Sequence, residues 1–267
     1  MAYTLPDLLR VMERLRDPDT GCPWDLKQDF HTIVPSTLEE CYELAQAIEQ
    51  GDYPHVGEEL GDVLFQVVFY AQMGRERGYF TFDGIVDTLV RKLVRRHPHV
   101  FAAGDIEGVV PEADRGSVES VRESWESIKE EERLSRQKVG TLADVPPALP
   151  ALPRAQKLQK RAARVGFDWH SAVGVLDKLQ EEIDELRRAL DQGGITEREE
   201  ELGDVLFTCV NLARHLGLDA ETSLRKSATK FEHRFQAMEA LADASGRSLS
   251  ALSMAEMDAL WQRAKGT

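Results

Sequence analysis

Apolar residues recur three and four positions apart along most of the chain, the period of a helix with one buried face, and the alternation that marks strands is scarce. The first amphipathic stretch spans about Pro6 to Arg16 and gives way to an irregular Gly21-Cys22-Pro23-Trp24 segment. A second helix follows that Ser36 can cap, with Glu39 completing a capping box. A third runs roughly from His55 to Arg77, and a fourth from Phe82 to Arg96, stopping before Pro98 because the residue ahead of proline resists the helical region. After a long loop, Ala102 to Gly116, a fifth covers Glu119 to Gln137. From Lys138 to Arg154 the chain reads KVGTLADVPPALPALPR, where four prolines interrupt any helix. Helices are then predicted near Arg154 to Val165, Ala172 to Asp191, Thr196 to Leu216, Ala220 to Ala244 and Ala255 to Lys265, with Thr196 and Glu199 as a second capping box.

The two halves repeat each other. Leu60-Gly61-Asp62-Val63-Leu64-Phe65 recurs letter for letter as Leu202-Gly203-Asp204-Val205-Leu206-Phe207, and in the same register Glu40, Glu43, Glu59 and Asp62 fall on Glu182, Glu185, Glu201 and Asp204. Later correspondences drift by a few positions, Lys92 with Lys230 and Trp125-x-x-x-Lys129 with Trp261-x-x-x-Lys265, as loop insertions would cause. The organisation expected is all-α, a tandem repeat of two helical-bundle modules, residues 1–138 and 154–267, joined by a Pro-rich linker over 139–153.

Composition narrows the partners. Of the 267 residues 30% are charged and the net charge is −14, which repels a polyanionic backbone, so no nucleic-acid polymer is expected. A small phosphate-bearing anion stays admissible when a divalent cation mediates, although a surface with surplus Glu explains the acidity as well. Cys22, Cys41 and Cys209 form no Cys-x-x-Cys pair, which suits a reducing cytoplasm. No export signal or membrane span is visible, so no membrane partner is expected.

Residues three apart share a helix face, so Glu182 and Glu185 point one way, as do Glu201 and Asp204 on the next helix. Packed as a hairpin, the two helices would bring four carboxylates to one locus, where each resists ionisation unless a cation compensates. Oxygen-only ligands favour Mg²⁺, with Mn²⁺ as a substitute. One Glu-x-x-Glu alone is common on any solvated helix; two such motifs at one spacing in both copies are far more specific. Gly61 and Gly203 add a signal, because a helix-interior glycine costs ~1 kcal/mol relative to alanine and implies that something approaches the backbone, closely packed helices included. A di-iron bundle would require Glu-x-x-His, which the sequence lacks.

Downstream, Lys226, Lys230 and Arg234 step by four along one helix as a cationic stripe suited to phosphate oxygens, unless glutamates pair with them. Trp261 and Lys265 can stack on a base and touch a phosphate, or the Trp can serve as a packing anchor. Trp24, Phe167 and Trp169, beside the irregular turns, are read as packing residues, with Trp169 also able to border a base pocket.

EExxE at Glu181 to Glu185 and ExxD at Glu201 to Asp204, repeated at Glu39 to Glu43 and Glu59 to Asp62, resemble the MazG nucleoside triphosphate pyrophosphohydrolases. So do GCPWD at Gly21, LGDVLFQVVFYAQM at Leu60, RRHPHVF at Arg95, LPALPRAQK around Pro150, VGFDW at Val165 and NLARHLG at Asn211, and the likeness spans the whole chain in that family's two-domain form. One departure is Ala228, where the family often has Asn. The resemblance implies an all-α fold related to dimeric dUTPases, a homodimer, and housecleaning of the nucleotide pool by Mg²⁺-dependent hydrolysis of nucleoside triphosphates at the α-phosphorus to monophosphate and diphosphate, with broad base tolerance. Glu182, Glu185, Glu201 and Asp204 would hold the metal and act catalytically, as would Glu40, Glu43, Glu59 and Asp62 in their copy as ligands. Glu181 or Asp184 would act as base, and Lys226, Lys230, Arg234, Trp261 and Lys265 would bind the substrate. Two alternatives stay open: a narrow dUTP or dCTP pyrophosphatase, and a non-catalytic helical adaptor.

Overall fold

The computed structural model describes residues 2–135 and 140–266. The expected end of the fifth helix at Gln137, the boundary between 138 and 139, and the two terminal residues lie outside them. Among the described residues every regular element is helical, and the one β-type contact is an isolated antiparallel bridge between Phe101 and Val109. Among the described residues no helix is long and apolar enough to cross a membrane. The chain divides into two compact units, Met1–Glu130 and Glu131–Thr267.

The first unit contains α1 (Leu5–Leu15), α2 (Pro23–Leu26), α3 (Val34–Gln50), α4 (Tyr53–Glu76) and α5 (Phe82–Arg96), followed by the long loop; α6 (Val118–Ser135) begins in this unit and runs past its end at Glu130. Met12, Ile33, Val68, Phe69 and Met73 form its buried centre, ringed by Leu8, Leu9, Phe30, Phe65, Tyr70 and Phe82, so α4 is the mast against which α1, α3 and α5 pack. Arg16 is buried beside this core and donates to Glu76 at 2.7 Å and to the carbonyls of Asp25 and Gln28, tying α1 to the irregular turn and to the end of α4.

The second unit contains α7 (Ala151–Arg164), α8 (Ala172–Gln192), α9 (Ile195–His215), α10 (Ala220–Ala244) and α11 (Met254–Ala264). The α8–α9 hairpin is its most extensive pairing, α7 lies along α9, and α11 packs on α10. Its irregular turn is held differently: the Asp168 carboxylate accepts from Arg214 and, at 3.0 Å, from His215 on α9.

The structure corrects several expectations. α3 begins at Val34 with Ile33 as N-cap, so Ser36 is already inside the helix and caps nothing; Pro35 fits the first turn, where its missing N–H has no partner to lose. Thr196 likewise sits inside α9, which starts from Gly194 in the Gly-Gly turn. The capping boxes present are Thr4 with Asp7 and Ser253 with Glu256, the latter closed by a 2.7 Å bond from the Ser253 N–H. Residues 151–153 of the expected linker open α7, with Pro153 in the first turn. Trp24 and Phe167 are exposed rather than packed, at 59% and 77%. Trp169 is also exposed, at 39%, although its ring lies 3.3 Å from where a Cβ on Gly174 would stand. Gly61 and Gly203 have open space where a side chain would go, so no neighbouring helix of the chain explains them.

Candidate functional site

Each hairpin delivers carboxylates to one point. In the first unit Gly51, in the left-handed region at φ 72°, turns the chain out of α3, and the Asp52 side chain accepts from the His55 N–H to start α4. Glu40 and Glu43 on α3 then meet Glu59 on α4, with oxygens all within 4.8 Å of one another. In the second unit Arg198 fixes the register, its Nε and Nη2 each donating at 3.1 Å to the carbonyls of Ala189 and Leu190 at the end of α8. Glu182 on α8 meets Glu201 and Asp204 on α9, again within 4.8 Å. The fourth member of each expected set stands outside that close grouping. Glu185 is engaged by Arg188 at 3.1 Å, and Asp62 acts on Glu40 through its charge.

Crowding shows in the electrostatics. Burial and the charges of Asp62, Glu43 and Glu59 push the Glu40 carboxyl above its ordinary pKa. Burial, then Glu185, Asp204 and Glu182, push Glu201 up against the opposing pull of Arg188. Two basic side chains answer the negative charge. Lys178 reaches Glu181 at 2.7 Å and Glu182 at 3.0 Å, and these bonds hold its ammonium above its ordinary pKa. His55 Nε2 lies 2.7 Å from Glu59 Oε1, while Glu59 Oε2 is buried with no hydrogen-bond partner.

That unpartnered oxygen tests whether the cluster suits a metal. A buried carboxylate oxygen without a donor is costly, and two further carboxylates beside it supply the all-oxygen set a hard divalent cation requires. The residues fit.

The cations of α10 gather beside α11. Lys226, Lys230 and Arg234 line a groove of about 410 Å³ with Thr229, His233 and Lys265. Among the described residues none of Lys226, Lys230, Arg234 and Lys265 has an ion-pair partner, so the stripe is not a set of surface salt bridges to glutamate. Trp261 does not line the groove; its ring is half-buried 5.4 Å from Phe231, which stacks on Phe235. In the first unit Lys92, the counterpart of Lys230, lies on α5 beside Arg91, which is tied to Asp87 at 2.8 Å, and α5 ends at Arg96. Sequence reasoning missed Lys178, His55, Arg198, Thr229 and His233. The first two stand one turn before an acid on their own helix, a spacing legible without a structure.

A family profile described as the MazG nucleotide pyrophosphohydrolase domain matches residues 28–101 and 171–238. The chain belongs to the MazG family. Relatives agree along nearly its whole length: the nucleoside triphosphate pyrophosphohydrolase of Escherichia coli (strain K12) is 48% identical over 97% of this chain and 95% of that protein. The nucleoside triphosphate pyrophosphohydrolase/pyrophosphatase MazG of Thermotoga maritima is 44% identical over the same shares. An uncharacterized Bacillus subtilis protein, YabN, is 41% identical over 96% of this chain but 50% of its own length. The two matched MazG segments carry one carboxylate cluster each, and the second also carries Lys226, Lys230 and Arg234, while Trp261 and Lys265 lie beyond it.

Proposed function

We propose that the protein hydrolyses nucleoside triphosphates to the monophosphate and diphosphate, with Mg²⁺ held by Glu182, Glu201 and Asp204, and Glu185 as the outer fourth carboxylate. The observation that carries the reading is three carboxylates within 4.8 Å of one another in a unit that also presents a run of unpaired cations. Bound Mg²⁺ supplies neutralisation of the triphosphate charge and acidification of water. The chain's own residues do the positioning: Lys226, Lys230, Arg234 and Lys265 meet phosphate oxygens, and Trp261, one turn before Lys265, offers a ring to the base. Glu181 or Asp184 acts as base: Glu181 shares Lys178 with Glu182 and so stands at the edge of the cluster, and Asp184 is held by Arg187 at 2.8 Å and Gln180 at 3.1 Å. Glu40, Glu43 and Glu59, with Asp62 as outer member, hold Mg²⁺ in the first unit.

Broad base tolerance is supported by stacking as the mode of base contact, which any base satisfies, the groove itself offering cations and small side chains to the phosphates. A homodimer is supported by the exposed apolar stripe on each central helix, Leu60, Leu64 and Val67 on α4 and Leu202 and Leu206 on α9. The glycines beside those stripes leave room for a partner's helix. A cytoplasmic setting suits the three free thiols. Diphosphate release from a panel of ribo- and deoxyribonucleoside triphosphates, with Mg²⁺ and with chelator, tests the activity; release that persists under chelation, or is confined to one base, overturns the corresponding part. A monomeric mass by light scattering at micromolar concentration overturns the dimer.

A further inference from the structure

We propose that the two carboxylate clusters differ in metal affinity, the N-terminal one being the tighter divalent-cation site because the C-terminal one already carries its own counter-ion, Lys178. The ammonium of Lys178 bridges Glu181 and Glu182 at 2.7 and 3.0 Å, and Glu182 is the buried member of its cluster. A divalent cation arriving there meets a fixed positive charge within bonding distance of a ligand, so it must displace the lysine or bind against its repulsion. In the repeat, Ser36 takes the place of Lys178, and no charged side chain occupies that turn of α3.

The buried member of the N-terminal cluster is Glu59, 6% exposed, and only one of its oxygens is engaged, by His55. Its Oε2 is shut away from water with no donor, and Glu40 and Glu43 stand within 4.8 Å. A cation placed there relieves an unmade contact and three mutually repelling carboxylates while displacing no ammonium. The two copies thereby divide two properties that one site cannot maximise together: firm retention of metal in the first unit and an exchangeable, substrate-coupled metal in the second.

The inference rests on reading the carboxylates as metal ligands but not on turnover, so metal binding itself is the measurement. Mn²⁺ is titrated into the metal-free full-length chain, followed by calorimetry and by the electron paramagnetic resonance signal of free Mn²⁺. Wild type is expected to show two classes of site. Glu59→Gln should remove the tighter class, with Glu43→Gln, at an exposed position, serving if the first variant does not fold. Lys178→Met should tighten the weaker class about tenfold, the effect of deleting one partly screened charge near the ligands. Lys178→Arg, which keeps the charge, should leave it weak. Loss of the tighter class in Glu201→Gln, or unchanged affinities in Lys178→Met, overturns the proposal. Diphosphate release assayed on the same samples separates the two ideas: two classes without turnover would remove the enzymatic reading and leave this one standing.

Discussion

Glu59 and Glu201 are equivalent in the repeat, as are Glu40 and Glu182, yet the two units bury opposite partners. In the first unit the buried acid is Glu59 on α4, and the raised pKa belongs to Glu40 across the hairpin. In the second the buried acid is Glu182 on α8, and the raised pKa belongs to Glu201. The deciding feature is one basic residue a helical turn upstream, His55 in one copy and Lys178 in the other. Four acids at one repeat spacing make the cluster; a single neighbour on the same helix selects which acid can be withdrawn from water, because a buried carboxylate requires a hydrogen-bond donor, which an imidazole supplies without the permanent charge of an ammonium.

The comparison is broken most strongly at the carboxylates. Glu201→Gln should lower the rate of diphosphate release about a hundredfold or more, the usual cost of removing a charge that acts in the transition state, whereas Glu59→Gln should leave much of it. Steady-state kinetics on the two variants decides, and equal losses would mean that both units turn over substrate. Next come the cations. Lys230→Ala or Arg234→Ala should cost at least about tenfold in kcat/KM, since each loses a charge-assisted contact to phosphate. Arg91→Ala should cost almost nothing, its guanidinium being already committed to Asp87 on an exposed face.

A smaller difference concerns how each unit holds its irregular turn. Asp168→Asn should destabilise the second unit by about 1–3 kcal/mol in urea unfolding, leaving Arg214 without its charged acceptor. Burial opposes ionisation of Asp168, but the bonds from Arg214 and His215 prevail and hold its pKa below the ordinary value. Its contribution is therefore complete above the unfolded-state pKa and lost as pH falls through the folded one. The raised acids act in the opposite sense. With chelator present, Glu201 and Glu40 bind their protons more tightly folded than unfolded, so each destabilises increasingly as pH rises through the carboxylate range. Glu201→Gln and Glu40→Gln should each raise Tm slightly at neutral pH, the gain vanishing in acid; a gain that persists in acid would show that crowding is not its cause.

The helices were largely legible. α5 and α10 run over the residues their apolar period predicts, and most other ends fall within a few positions. Caps were less so. Ser36 and Thr196 both match a capping motif, but the chain turns earlier, at Ile33 and at Gly194, because Pro35 suits a first turn and the Gly193-Gly194 pair closes the hairpin. Trp24 and Phe167 look like core residues by type, yet within their own unit nothing covers them.

What the sequence by itself determined is whatever a helix determines: two copies of one hairpin, acids three apart on one face, cations four apart on another, all consequences of a 3.6-residue turn. Tertiary structure decided which three of four acids approach within 4.8 Å, that Lys265 at the end of the last helix joins the cations of α10, and that Glu59 or Glu182 is the one withdrawn from water. Those outcomes depend on how helices lie against one another and on what solvent each side chain keeps, and no periodicity along a single helix carries that information.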